Sequence, residues 1–232
     1  MSFHPIRVRC RSAFTLIELL VVIGVIALVI GLMFPALRSA RRSAQGTECL
    51  NNMRSIGQAV EMYCIANKEH YPISSHTSGS LVSNDCWLNN LTHYGISRTC
   101  RQCPLDPYAE SRLTSYASNE HFEPLTPGID FNPITGAPLP GGRTRTYERV
   151  GLAPRPDVTV YAYEPETAGT IDHLNTHQFQ TADDVRAAIA ITRHNHAAHF
   201  LFLDWHAAPC GWDGLSRTFS PATSPFDPAT AQ

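Results

Sequence analysis

The chain has no excess of basic charge. Its 232 residues carry 18 Lys and Arg against 20 Asp and Glu, a formal net charge of -2, with a sequence pI of about 6.6. Binding along a phosphate backbone needs a positive surface, so nucleic acid is not an expected partner. The short signatures of common catalysts are also missing: there is no G-x-S-x-G elbow, H-E-x-x-H, phosphate-cradling P-loop or dinucleotide fingerprint. The pairs Asp183–Asp184 and Glu164 with Glu166 put carboxylates close in sequence, which does not by itself make a catalytic geometry. A non-enzyme without a cofactor is expected. No internal repeat occurs. Charged residues make up only 16% of the chain and apolar residues 43%, a globular balance, and the length suits one domain plus an attached segment.

One absence is local. From Leu19 to Leu37 there is no charged residue, and a helix of that length, at about 1.5 Å per residue, spans the roughly 30 Å hydrocarbon layer. Upstream, MSFHPIRVRCRSA holds Arg7, Arg9 and Arg11 and no acid. That bias keeps the N-terminus cytoplasmic and sends the remainder outward. The apolar run exceeds the about 7 to 15 residues of a signal-peptide core and no A-x-A-like site follows it, so it is expected to be retained. Beyond Pro35 the helix is expected to continue. In ALRSARRSAQGTECLNNMRSIGQAVEMYCIANKEHYP, Leu50, Met53, Ile56, Val60 and Cys64 recur at spacings of three and four, one apolar stripe on a polar helix. Pro35 and Gly46 are its weak points. Tyr71–Pro72 places its end near Asn67.

A single carboxylate, Glu18, opens the apolar run. Its surroundings, SAFTLIELLVVIGVIALVIGLMFPAL, resemble the N-terminus of type IV prepilins and type II secretion pseudopilins: a short basic leader, a small residue, then FTLIELL. The resemblance implies cleavage by a prepilin peptidase between Ala13 and Phe14 and methylation of the new Phe14 amine. The family usually has Gly before the cut, and Ala13 stands there in this chain. The resemblance further implies that Glu18 meets the N-terminal amine of a neighbouring subunit and sets register during assembly. Charge inside a bilayer is expensive and is read as functional, and the first turns of a helix favour an anion. The alternative is a carboxylate that snorkels to the interface.

The fold so implied is α+β and type IV pilin-like, a long N-terminal helix packed on a small antiparallel β-sheet with long loops. Its expected parts are a leader over 1–13, the transmembrane half of the helix over 14–37, its amphipathic half over 38–67, and a loop-rich extracytoplasmic β-domain over 68–232. The function implied is a pilin-like or pseudopilin-like structural subunit. Its partners would be a prepilin peptidase, other pilin-like subunits and the inner membrane, crossed once.

The rest of the chain signals more weakly. The stretch from about Ser74 to Val150 is dense in Pro, Gly, Ser and Asn and reads as surface loops and turns with brief strands. DVTVYAYEP and AHFLFLDWHAAP are strand candidates. TADDVRAAIAI has the acidic start of a helix but equally suits a strand. In RHNHAAHFLFLDWHAAP, His194 is followed after nine residues by Asp204, which resembles the H-x9-DG element closing many bacterial pilin-like proteins. Trp205 replaces its glycine, and a positive-φ turn would suit Trp poorly. His194 and Asp204 would either lock a hairpin by a hydrogen bond or join His196, His199 and His206 as metal ligands, His194 and His196 sharing a strand face. The first is preferred and no metal is expected. The second defines the alternative function, a membrane-anchored metal-binding or hydrolytic domain. His173 and His177 are assigned no role.

Removing the leader takes Cys10 and leaves six of seven cysteines: Cys49, Cys64, Cys86, Cys100, Cys103 and Cys210. An even number outside the cytoplasm suits disulfides, and six permit fifteen pairings. Cys100 and Cys103 have half-zinc-site spacing, but no second such pair accompanies them. Three of the 18 basic residues also go with the leader, so 15 face 20 acids, a formal -5.

Overall fold

A computed structural model describes residues 15–74, 86–166, 172–174, 176–218 and 223–231. The chain divides into two compact units, Met1–Arg41 and Arg42–Gln232. Helix α1, Leu16–Ala66, runs without interruption through Pro35 and Gly46, and its end falls within a residue of the boundary read from Tyr71–Pro72. In its first half every large apolar residue from Leu16 to Leu37 is exposed. That uniformly apolar surface is uncovered among the described residues and suits lipid as its solvent.

The second half of α1 belongs to the larger unit, where it buries Cys49, Met53, Ile56, Gly57, Ala59, Val60 and Cys64. The expected stripe is rotated by one residue at its start. Cys49 is fully buried, whereas Leu50 is only half-buried, because a disulfide to Cys103 draws Cys49 inward. Gly57 allows close approach to the sheet: a Cβ there would lie 3.1 Å from both Leu201 Cδ1 and Trp205 Cβ.

The sheet comprises β1 (Ala117–Asn119), β2 (Val160–Tyr163), β3 (His173–Leu174), β4 (Ala197–Phe202) and β5 (Ala207–Gly211), in the order β3–β1–β2–β4–β5. All neighbours are antiparallel except β1 with β3. The two sequence candidates thus supply β2 and the β4–β5 hairpin. This is the α+β, pilin-like arrangement of a long N-terminal helix and a small, mostly antiparallel sheet.

Two cores lie on opposite faces of the sheet. Leu201, Tyr161 and Ala162 join the α1 residues with Trp87, Tyr116 and Phe122. Val160, Tyr163, Ala198 and Phe200 pack instead with Val185, Ile189, Leu215 and Phe226, brought by helix α2 (Ala182–Ala188), helix α3 (Trp212–Thr218) and the C-terminal segment. The ambiguous TADDVRAAIAI is therefore helical over Ala182–Ala188 and extended at Ile189, which bridges to Pro165. A capping box decides it, with Thr181 Oγ1 accepting from Asp184 N (3.2 Å) and Asp184 Oδ2 accepting from Thr181 N (2.8 Å).

The loop-rich stretch is less superficial than its composition suggests. It places Trp87, Leu88, Leu91, Tyr116 and Phe122 in the core and includes a 3-10 helix, Trp87–Tyr94, that the Pro and Gly pattern did not announce. Buried Arg143 holds part of it. Its guanidinium pairs with Asp130 (2.6 Å) and donates to the carbonyls of Glu123 (3.1 Å), Pro124 (3.0 Å) and Glu120. A buried loop has no ladder to satisfy its carbonyls, and one fork of five donors serves several. Asp106 is gripped similarly by Arg112 and by Ser115 Oγ (2.5 Å). Burial raises its pKa, but these donors more than offset that and hold it below the usual value.

Candidate functional site

At the start of α1, Ala13 and Phe14 lie outside the described residues, and Thr15 begins them. Thr15 and Glu18 form a capping box. Glu18 Oε2 accepts from Thr15 N (2.8 Å) and Thr15 Oγ1 (2.7 Å), and Thr15 Oγ1 accepts from Glu18 N (3.3 Å). The Glu18 carboxylate thus has a local partner in this chain, in the T-x-x-E pattern of FTLIELL.

The C-terminal motif is spread along a hairpin. His194 lies in a tight turn closed by its own N–H to Ala197 O (3.1 Å) and by Ala197 N to His194 O (3.1 Å). Asn195 and His196 take the two left-handed positions, φ 51° and 67°, the pattern of a type I′ turn. Asp204 sits at the other end of β4, in the loop to β5, and six strand residues separate the two by roughly 20 Å. They do not bond to each other. Asp204 Oδ1 instead accepts from His206 N (3.1 Å) and pairs with its ring (2.5 Å) on the surface. His196 is exposed beside Gly211 and Trp212. The His194 to His206 segment therefore gathers no metal centre. Trp205 has φ 66°. It closes a three-residue loop through its N–H to Phe202 O (3.0 Å) and the Phe202 N–H to His206 O (3.0 Å), a position that favours glycine.

His194 points inward to a different set of residues. Its Nε2 donates to Glu164 Oε2 (2.7 Å) and lies 3.6 Å from Cys103 Sγ, and Cys103 is bridged to Cys49. All four residues are buried, and one donor atom from each lies within 4.8 Å of the others. His199 stacks on His194 with ring centroids 3.6 Å apart. Burial, the neighbouring His194, and Arg193 and Arg54 push its pKa down to about 3, so its ring is neutral at ordinary pH. Arg193 reaches Asp106 (3.4 Å) and Pro165 O (3.0 Å), and its own carbonyl accepts from Arg42 (3.3 Å).

Of the six candidate cysteines, only Cys49 and Cys103 are joined; Cys64, Cys86, Cys100 and Cys210 are free thiols. Burial pushes Cys64 up to about 12 and raises Cys86 and Cys210, which keeps these thiols protonated and inert. Cys100 stays outside the cluster, beside Ser97 Oγ (3.5 Å), so Cys100 and Cys103 do not act as a pair.

Comparison with known proteins bears on the N-terminal element. The family described as Prokaryotic N-terminal methylation motif matches residues 8–34. This chain carries a prepilin-type N-terminus on a pilin-like fold. Its resemblance extends well past the helix. It is 26% identical over 128 residues to the type II secretion system core protein G of Dickeya chrysanthemi, covering 55% of this chain and 83% of that protein. Against the protein of the same name from Escherichia coli (strain K12) it is 27% identical over 121 residues, covering 52% and 83%. No solved structure matches significantly. Among the described residues, one helix is long and apolar enough to cross a membrane, which fits a membrane-anchored protein. Sequence reasoning named His194, and named Glu164 only as a neighbour of Glu166; it did not join the two, and it missed Asp106, because Glu164 and Asp106 come from distant segments and leave no local pattern.

Proposed function

We propose that this pilin-like chain is a structural subunit of a type II secretion-like pseudopilus or related filament, made as a precursor. A prepilin peptidase cuts between Ala13 and Phe14, Phe14 is methylated, and the subunit waits in the inner membrane, its N-terminus cytoplasmic and residues 42–232 outside. The observation that carries this is the helix start itself. A methylation motif over residues 8–34 spans the start of an exposed apolar helix whose one charge before Arg38, the carboxylate of Glu18, lies in the first turn.

Assembly then rests on a competition at Glu18. In the single chain its carboxylate is held by Thr15. In a filament a neighbour's Phe14 amine, a full positive charge in a low-dielectric layer, offers a stronger partner. Glu18→Ala removes an intramembrane charge, so insertion is expected to be unimpaired, while oligomer ladders on cross-linked membranes are expected to vanish at equal expression. Unchanged ladders would overturn the assembly role. A mature N-terminus beyond Leu37, found by intact mass, would overturn the whole reading.

A further inference from the structure

We propose that Cys49, Cys103, Glu164 and His194 form a redox-gated zinc site: a disulfide in the oxidised chain, and, once that disulfide is reduced, a tetrahedron of two thiolates, one imidazole and one carboxylate around a single Zn2+. The four come from the buried half of α1, the loop just after a second 3-10 helix, Thr99–Arg101, the residue following β2 and the turn before β4. Their donor atoms nevertheless lie within 4.8 Å of one another. Zinc takes sulfur at about 2.3 Å and nitrogen or oxygen at about 2.0–2.2 Å. Opening the bridge and small side-chain shifts bring all four to those distances.

The direction of the ring is informative. A general-base relay uses the two imidazole nitrogens on opposite sides, whereas here the same Nε2 faces both Glu164 Oε2 (2.7 Å) and Cys103 Sγ (3.6 Å). A carboxylate and a sulfur that converge on one ring nitrogen mark the point a common ion would occupy once that nitrogen gives up its proton. The carboxylate is also under-used: Glu164 is fully buried and its Oε1 has no hydrogen-bond partner among the described residues. Two thiolates, a carboxylate and Zn2+ sum to one negative charge, and Arg193 Nη1 stands 4.0 Å from Glu164 Oε1 to meet it. A recess of about 190 Å³ lined by Arg42, Gly46, Leu50, His194 and His199 reaches one of the four, His194.

The chemistry balances with a dithiol as reductant. The S–S bond takes two electrons and two protons and the dithiol becomes a disulfide; Zn2+ then forms two Zn–S bonds and releases the two thiol protons. Oxidation by an acceptor disulfide reverses this and expels the ion. Oxidised chain outside the cytoplasm would hold the bridge, and chain still in a reducing environment would hold the metal.

The test uses the full chain in detergent micelles, reduced with a dithiol, desalted under argon and titrated with Co2+ and then Zn2+. One equivalent of Co2+ is expected to give a thiolate-to-cobalt charge-transfer band with tetrahedral d–d absorption, bleached by one equivalent of Zn2+ and absent from oxidised chain. His194→Ala and Glu164→Gln are each expected to weaken cobalt binding by about tenfold or more. A variant with Ser at Cys64, Cys86, Cys100 and Cys210 should bind as the parent does. Absence of the band in reduced chain, its persistence in a Cys49→Ser, Cys103→Ser double variant, or indifference to both His194→Ala and Glu164→Gln overturns the proposal. Circular dichroism is followed in parallel, and reduced chain that unfolds and is not restored by zinc overturns it as well.

Discussion

Trp205 holds two opposed energies that a pair of substitutions separates. Its backbone is left-handed, φ 66°, which burdens any residue with a Cβ by about 1–2 kcal/mol. Its ring packs edge-on against Tyr161 (centroids 5.5 Å, 85°) and Tyr71 (6.3 Å, 69°), at the edge of the core that includes the buried half of α1. Removing a fully buried large aromatic costs about 3–5 kcal/mol; Trp205 is half-buried, so Trp205→Ala should destabilise by about 2 kcal/mol while keeping the strained Cβ. Trp205→Gly loses the same ring but relieves the strain, against about 0.5–1 kcal/mol for the greater freedom of glycine in the unfolded chain. The glycine variant should therefore be the more stable of the two by about 0.5–1 kcal/mol, roughly 2–3 °C in Tm for a unit of this size. Urea and thermal unfolding of the full chain in micelles, followed by near-ultraviolet circular dichroism, measures both. An alanine variant as stable as the glycine variant would refute the argument from the turn.

Arg143→Met leaves Asp130 buried without its cation and strands the carbonyls of Glu120, Glu123 and Pro124. It should cost about 3–5 kcal/mol and expose the 124–143 loop to limited proteolysis. Arg143→Lys, with the charge but not the fork, should fall between wild type and Arg143→Met. For His199, with a folded pKa near 3, the unfolded chain protonates first as pH falls. Stability is therefore lost below about pH 6.5, by about 1.4 kcal/mol for each further unit until the folded value is reached. His173 and His177, both raised, the latter chiefly by its bond to Glu120, oppose this trend. The measurement is thus the difference in unfolding free energy between wild type and His199→Asn from pH 7 to 4.5, and a constant difference would refute it.

Much was legible from the chain alone wherever the physics is local. Nineteen uncharged residues from Leu19 to Leu37 announce a helix long and apolar enough to cross a membrane. The three-and-four spacing through Val60 and Cys64 and the alternation in DVTVYAYEP follow from helix and strand periods. Thr181 and Asp184, or Thr15 and Glu18, lie three apart, so their caps are also written in the sequence. The tertiary structure alone decided what depends on distant meetings. Cys49 bonds Cys103 across 54 residues out of fifteen possible pairings. His194 turns to Glu164, 30 residues earlier, and away from Asp204, nine intervening residues later. Arg143 reaches back to carbonyls about 20 residues upstream. Such partners are selected by how two cores pack on opposite faces of one sheet, and no periodicity along a chain encodes which buried polar group will need which donor.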